Sequence, residues 1–87
     1  MIKMKKGEIG MIGIETYDNG YGVSVIRSKY SYGGTEGLYE LAVIAGDKLH
    51  YNNPVAQGDV RGYLTEEDVE RLIEEVKLFD KYIPTEE

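Results

Sequence analysis

Apolar and polar residues alternate along residues 9–28, and the alternation continues on both sides of the pair Asn19-Gly20. A period of two is typical of half-buried β-strands, and Asn-Gly favours a two-residue type I′ turn because both residues tolerate positive φ. Such a turn would place Ile14 opposite Val25. The pattern therefore predicts a hairpin whose core face is built from alternate residues of both strands, namely Ile12, Ile14, Thr16, Val23 and Val25.

Residues 38–45 are apolar on both faces of a strand, apart from one glutamate. They lead into Gly46-Asp47, where glycine at the first turn position favours a type II′ turn that pairs Ile44 with Leu49. Strands that are apolar on both faces are usually buried on both sides. Because a single helix covers one face of a sheet, we expect a second copy of the chain to cover part of the other.

The clearest helix signal begins at Thr65. Threonine is a favoured N-cap, and the next three residues are acidic, which suits the positive end of the helix dipole. Asp68 stands where a capping box usually carries Glu or Gln, so we expect an incomplete box. An apolar stripe recurs at helical spacing, formed by Val69, Leu72, Ile73, Val76 and Phe79. With Pro84 as a stop, these signals predict a helix over about residues 66–80.

The predicted elements are two hairpins followed by one helix. We therefore predict an α+β fold in which an antiparallel sheet of about four strands packs against a C-terminal helix. The chain of 87 residues has the length of one domain, which we expect to extend over residues 1–87. A domain of this size has a thin core, and the absence of cysteine excludes disulfides, so self-association is the remaining source of extra burial.

The net charge of −6 narrows the range of partners. An acidic chain repels phosphate backbones at long range, which argues against general nucleic-acid binding. The acids are concentrated after residue 65, so the first two-thirds of the chain is neutral and remains able to hold a small anion. The sequence has no signal-peptide pattern and no apolar run near the ~20 residues that span a bilayer, so we expect a cytoplasmic protein without a membrane partner.

Candidate catalytic and metal-binding residues are sparse. The single histidine, His50, is predicted opposite Val43 in a strand, and no residue close in sequence is expected to orient its ring. Isolated acidic residues such as Asp47 and Asp59 are explained by turn geometry rather than by metal binding. We therefore predict no catalytic residue, no metal site and no cofactor, and a protein that is not an enzyme.

One connection is longer than a hairpin requires, because residues 28–37 stand where about two to five residues suffice. They hold three glycines, whose backbone amides can form a nest for an anion, beside cations and tyrosines that suit phosphate and a nucleotide base. The candidate ligand-binding residues are Arg27, Lys29, Tyr30, Tyr32, Gly33, Gly34 and Thr35. The alternative interpretation is a long connection that needs glycine for turns and tyrosine for packing.

The segments GYGVSVIR, KYSYGGTEGLYELAV and GYLTEEDVERLIEEV, with NNPV before the last, resemble small uncharacterised proteins encoded by tailed bacteriophages. The resemblance covers roughly residues 19–77. It implies a phage accessory protein of the host cytoplasm that counters host defence by sequestering a nucleotide-derived immune signal. The alternative is an inhibitor that binds a host defence or regulatory protein, with the acidic helix face around Glu67, Glu70 and Glu74 as its contact surface.

Overall fold

A computed structural model describes residues 1–84, where the chain forms one six-stranded antiparallel sheet, one 3₁₀ turn and one α-helix. The strands are β1 (Lys5–Lys6), β2 (Gly10–Thr16), β3 (Tyr21–Ser28), β4 (Tyr39–Ala45), β5 (Lys48–Leu49) and β6 (Arg61–Leu64); the 3₁₀ turn is Gly34–Glu36 and the helix α1 is Glu66–Lys77. The order in the sheet is β1-β2-β3-β4-β5, and β6 also pairs with β4. The predicted α+β class is confirmed, and the strand count exceeds four because the short β1 and β6 extend the sheet. Residues 85–87 of the predicted domain lie outside the described part.

The first hairpin closes through three residues, Asp18-Asn19-Gly20, instead of the predicted two. The amide of Tyr17 donates to the Tyr21 carbonyl at 2.7 Å, and Gly20 has a φ of 88°. Asn19 does not share this positive φ, so the predicted type I′ turn is wrong. A three-residue loop that ends in a left-handed glycine is the next most common hairpin connection.

The extra loop residue shifts the pairing by one position. Gly13 pairs with Val25, and Ile14 pairs with Ser24. A shift of one residue exchanges the two faces of a strand, so Ile12 and Ile14 point away from the helix and are 40% and 58% exposed. The predicted core face is therefore wrong for Ile12, Ile14 and Thr16, and confirmed for the buried Val23 and Val25.

The N-terminal residues fill the core in place of the two outward isoleucines. Ile2 is buried, and Met4 packs partly buried against the core. A Cβ atom on Gly13 would lie 2.6 Å from the Lys3 carbonyl oxygen and 2.8 Å from the Met4 sulfur, which is closer than real Cβ contacts. Glycine at this position therefore lets the N-terminal segment approach β2 and bury its apolar side chains.

The second hairpin has the predicted register. Ile44 pairs with Leu49, and the His50 amide donates to the Val43 carbonyl at 2.8 Å. Gly46 has a φ of 65°, as the first position of a type II′ turn requires. Along β4 the residues alternate between buried and half-buried, instead of being buried on both faces. The reason is that α1 joins the core on one face, which we call the inner face, while the described residues leave the outer face open.

The helix begins with a complete capping box. The Thr65 hydroxyl accepts from the Asp68 amide at 3.1 Å, and the Asp68 carboxylate accepts from the Thr65 amide at 3.0 Å. The expectation of an incomplete box is wrong, because the shorter aspartate reaches the same donor. The helix ends at Lys77, before the predicted residue 80. At that end the side chain of Asn19 donates to the carbonyl of Val76 at 2.9 Å.

One apolar cluster joins the inner face of the sheet, the helix and the segment before β6. Its buried members are Ile2, Val23, Val25, Tyr39, Leu41, Val43, Val55, Ala56, Leu64, Val69, Leu72, Ile73 and Val76. Phe79, the last residue of the predicted stripe, packs partly buried against this cluster. No helix within residues 1–84 is both long enough and apolar enough to cross a membrane.

Candidate binding surface

Residues 28–37 fold into a compact turn whose amides bond within the protein. The Gly34 amide donates to the Ser31 carbonyl at 3.1 Å, and the Leu38 amide donates to the Gly33 carbonyl at 3.0 Å. The Tyr32 amide donates to the Glu40 carboxylate at 2.9 Å. These bonds fix the backbone of the loop and leave fewer amides for an anion than an open glycine nest would offer.

The two central glycines of the loop serve close packing. Gly33 is buried with a φ of 88°, and a Cβ there would lie 2.9 Å from the Tyr63 Cα and 3.1 Å from the Leu38 Cβ. A Cβ on Gly34 would collide with the Ser28 carbonyl oxygen. Turn geometry therefore accounts for both glycines, and any ligand contact of this loop falls mainly to its side chains.

The loop presents its tyrosine rings to solvent. Tyr30 and Tyr32 are 72% and 56% exposed, and Tyr63 from β6 is 59% exposed. The Lys29 Nζ atom lies 5.2 Å from the centroid of the Tyr30 ring, within the range of a cation–π contact. We call Lys29, Tyr30, Tyr32 and Tyr63 the tyrosine surface. It offers aromatic faces and one cation at the same end of the sheet.

Tyr63 joins this surface through a bulge. Leu64 pairs with Tyr39, and Arg61 pairs with Leu41, so β6 has one residue more than β4 between the two pairs. Tyr63 adopts a φ of 57°, and its amide donates to the Tyr32 carbonyl at 3.1 Å. A left-handed backbone conformation costs a bulky residue on the order of 1–3 kcal/mol of free energy. Sequence reasoning missed Tyr63, because its position depends on pairing between β6 and β4.

Two of the predicted site residues have no contact that ties them to the rings of the tyrosine surface within the described residues. The Arg27 guanidinium packs over the buried Tyr39 ring at 5.1 Å, and its Nη1 donates to the Tyr39 hydroxyl at 3.3 Å. These contacts give Arg27 a packing role at the end of β3. Thr35 lies exposed in the 3₁₀ turn. The structure thus groups Lys29, Tyr30 and Tyr32 on the loop, with Gly33 and Gly34 as its supports.

His50 is oriented by a neighbour that the sequence did not suggest. The Asn53 amide nitrogen lies 2.9 Å from His50 Nδ1 and also donates to the His50 carbonyl at 2.9 Å. The imidazole makes edge contacts with the rings of Tyr21 and Tyr82, with distances of 5.7 and 6.4 Å between the ring centroids. The expectation that no nearby residue orients His50 is therefore wrong. The ring belongs to an aromatic cluster at the edge of the core, which explains its position by packing.

The other perturbed or acidic groups have local explanations. Burial, followed by a hydrogen bond to Glu15 and the charge of that carboxylate, raises the pKa of Tyr17 far above its ordinary value, so its hydroxyl stays protonated. Within residues 1–84, no three histidine, aspartate or glutamate side chains converge as metal ligands do.

The acidic face of α1 is partly neutralised by its own bases. Arg71 lies 3.2 Å from Asp68 and 3.8 Å from Glu75, and Lys77 lies 3.2 Å from Glu74. Exposed pairs of this kind contribute little to stability but reduce the local negative charge. The tyrosine surface is thus the more distinctive feature. Comparisons with protein-family models, with curated protein sequences and with solved structures find no match to this chain.

Proposed function

We propose that the chain is a non-catalytic binding protein that holds a small nucleotide-like anion on its tyrosine surface. The observation that supports this most directly is the exposure of three tyrosine rings on a backbone held by internal hydrogen bonds. Tyrosine on a rigid scaffold loses little conformational entropy when a ligand binds, which is one reason for its enrichment in binding surfaces. The fixed loop therefore favours recognition by its side chains.

A nucleotide matches the chemistry of this surface. An exposed tyrosine ring offers a face on which a base stacks, a contact worth roughly 1–3 kcal/mol per base. Lys29 places an ammonium group beside the Tyr30 ring, where it would meet a phosphate oxygen. This cation gains importance in a chain whose net charge is −6, because a phosphate would otherwise be repelled.

The role that we propose is sequestration. A binder without catalytic groups lowers the free concentration of its ligand when the protein is present in excess. For a phage accessory protein, which this sequence resembles, the ligand would be a nucleotide-derived signal of host immunity. The protein would then act in the host cytoplasm.

The experiment is a thermal-shift and calorimetric screen with AMP, ADP-ribose and cyclic dinucleotides. We expect at least one of these probes to raise the Tm of the wild-type protein. The double variant Tyr30→Ala, Tyr32→Ala should bind that probe about 10-fold or more weakly, because it loses two stacking faces. The matched control is Tyr51→Ala, which truncates an exposed tyrosine outside the tyrosine surface.

Two results would contradict the proposal. One is the absence of any shift in Tm with all probes at millimolar concentration. The other is an equal loss of affinity in the control variant and in the double variant. In both cases circular dichroism of each variant must match the wild type, so that a folding defect does not imitate a binding defect.

The acidic end of α1 supports a second candidate function, inhibition of a host protein. Glu66, Glu67 and Glu70 are exposed carboxylates on the N-terminal half of the helix. Such a surface would meet a basic patch on a partner. A host-protection assay separates the two candidates: reversing Glu67 and Glu70 to lysine abolishes protection under this second function, whereas Tyr30→Ala with Tyr32→Ala abolishes it under the first.

A further inference from the structure

The outer face of the sheet carries apolar residues where an open sheet usually carries polar ones. Ile12 and Ile14 of β2, Ile26 of β3, Ile44 of β4 and Leu49 of β5 all point to this side by their registers. When one face of an antiparallel sheet meets water, its residues are normally polar. We call these five residues the isoleucine face.

The described residues provide nothing to cover the isoleucine face. The helix packs on the opposite side, where Val69, Leu72 and Val76 join the core with Val23 and Leu41. Leu49 and both isoleucines of β2 are exposed, while the isoleucines of β3 and β4 are half-buried by their neighbours. Ser24 and Ala42 lie on the same face between the isoleucines of β2 and Ile44. Exposed apolar residues grouped on one face in this way mark an interaction site.

We infer that a second copy of this chain covers the isoleucine face, in a two-fold dimer with sheets packed face to face. The charges around the patch specify this occupant. Across the sheet, Lys5 pairs with Ile12, Ile12 with Ile26, and Ile26 with Glu40. One row of the outer face therefore runs from a cation through two isoleucines to an anion, and beyond Glu40 the sheet continues into β6.

A two-fold axis parallel to the strands makes this row complementary to itself. That rotation reverses the order of the strands, so Lys5 faces the partner's Glu40. Ile12 then faces the partner's Ile26, and Ile26 faces the partner's Ile12. A two-fold axis across the strands would instead place Lys3 and Lys5 against the partner's lysines. Like charges that face each other across an interface cost several kcal/mol, so the parallel axis is the favoured arrangement.

The strand lengths set the size of this interface. With strands about 4.8 Å apart and residues about 3.3 Å apart, β1 to β5 give the face a projected area of roughly 400 Å², about half of the ~800 Å² per partner of a standard interface. A cleft of about 260 Å³ between Lys3, Lys5, Ile12 and Ile14 can receive a side chain of the partner. The lysine stems can pack along this apolar surface while their ammonium groups reach the rim.

The first test measures association by sedimentation equilibrium across micromolar to millimolar concentrations. We expect the wild type to dimerise, and Ile14→Lys to weaken dimerisation by about 100-fold or more because it buries an unpaired charge. The matched control is Ile83→Lys, an identical change at an exposed site in the segment after α1, outside the strands, which should dimerise as the wild type does. A monomeric wild type, or a dimer that tolerates Ile14→Lys, would overturn the inference.

The second test does not depend on weakening the interface. The sequence contains no cysteine, so thiols can be introduced without background. In the proposed dimer, the thiol of Lys5→Cys faces the partner's thiol of Glu40→Cys, so a short bismaleimide reagent should join the two chains. Within one chain the same two positions lie about 14 Å apart, across three strand spacings, which is too far for a short reagent. The control, Lys6→Cys with Glu40→Cys, moves one thiol to the inner face and should cross-link far less. Equal cross-linking of the two variants would overturn the arrangement. Glu40 is shared with the tyrosine surface, because its carboxylate accepts from the Tyr32 amide. The Ile14→Lys test changes no residue of that surface, so failure of this inference and failure of the proposed function remain distinguishable.

Discussion

The side chain of Asn19 donates a hydrogen bond to the carbonyl oxygen of Val76 at 2.9 Å, although 57 residues separate them. The same nitrogen donates to the Phe79 carbonyl at 3.1 Å, and the Asn19 carbonyl accepts from the Tyr82 amide at 2.8 Å. The last carbonyls of a helix have no partner within the helix, so this turn residue closes the end of α1. It thereby joins the first hairpin to the helix.

The first prediction is that Asn19→Ala lowers the free energy of unfolding by about 1–2 kcal/mol, because the part-buried carbonyls of Val76 and Phe79 each lose one donor. Urea denaturation followed by circular dichroism measures the change. The matched control is Asn52→Ala, the same truncation at an exposed site in the segment after β5, which we expect to stay within about 0.5 kcal/mol of the wild type. Equal losses of stability in the two variants would contradict the capping role of Asn19.

The second prediction concerns the approach of the N-terminal segment to β2. Gly13→Ala places a methyl group against the Lys3 carbonyl, so the backbone must move and the core loses part of Ile2 and Met4. We expect a loss of about 1–3 kcal/mol in chemical denaturation. Gly7→Ala is the control, since its Cβ would make only an ordinary contact at 3.4 Å. A Gly13→Ala protein as stable as this control would contradict the packing role of the glycine.

The third prediction is a pH dependence set by the capping box. Hydrogen bonds from the Thr65 backbone and side chain, assisted by Arg71, lower the pKa of Asp68 from its ordinary value of 3.8. The carboxylate therefore contributes stability above that ordinary value, and the contribution is lost as pH falls through the lowered pKa of the folded state. Asp68→Asn should reduce stability at neutral pH and approach the wild type in strong acid.

Urea denaturation at a series of pH values measures this convergence. The matched variant Glu67→Gln removes a charge from the same helix turn but leaves both bonds of the capping box intact. At neutral pH, Glu67→Gln should therefore lose less stability relative to the wild type than Asp68→Asn does. A gap between Asp68→Asn and the wild type that stays constant with pH would contradict the assignment.

The fourth prediction separates strain from function at Tyr63. Asparagine tolerates its φ of 57°, whereas a β-branched residue does not. Tyr63→Asn should therefore be at least as stable as the wild type, and Tyr63→Val should be less stable than Tyr63→Asn by about 1 kcal/mol or more. Thermal denaturation measures both. If the tyrosine surface binds a nucleotide, Tyr63→Asn should also lose affinity while it keeps its fold; identical Tm values for the two variants would argue against backbone strain.

Local signals in the sequence were sufficient for the helix start and for the second hairpin. Thr65 and Asp68 lie within one helical turn, and Gly46-Asp47 sets the register of its own hairpin. Interactions over so few residues do not depend on the rest of the fold. In the same way, the length and composition of residues 28–37 identified Tyr30 and Tyr32 as candidate binding residues, and the structure exposes both.

The tertiary structure alone decided which side of β2 meets the core. An alternating strand has two possible faces, and the pattern favoured Ile12 and Ile14 because they are the larger apolar residues. The three-residue turn at Asn19 shifts the register, and Gly13 admits the N-terminal segment to the inner side. Both effects depend on segments distant in sequence, the end of α1 and the first residues of the chain. Contacts of that range leave no periodic trace, and therefore only the folded protein shows them.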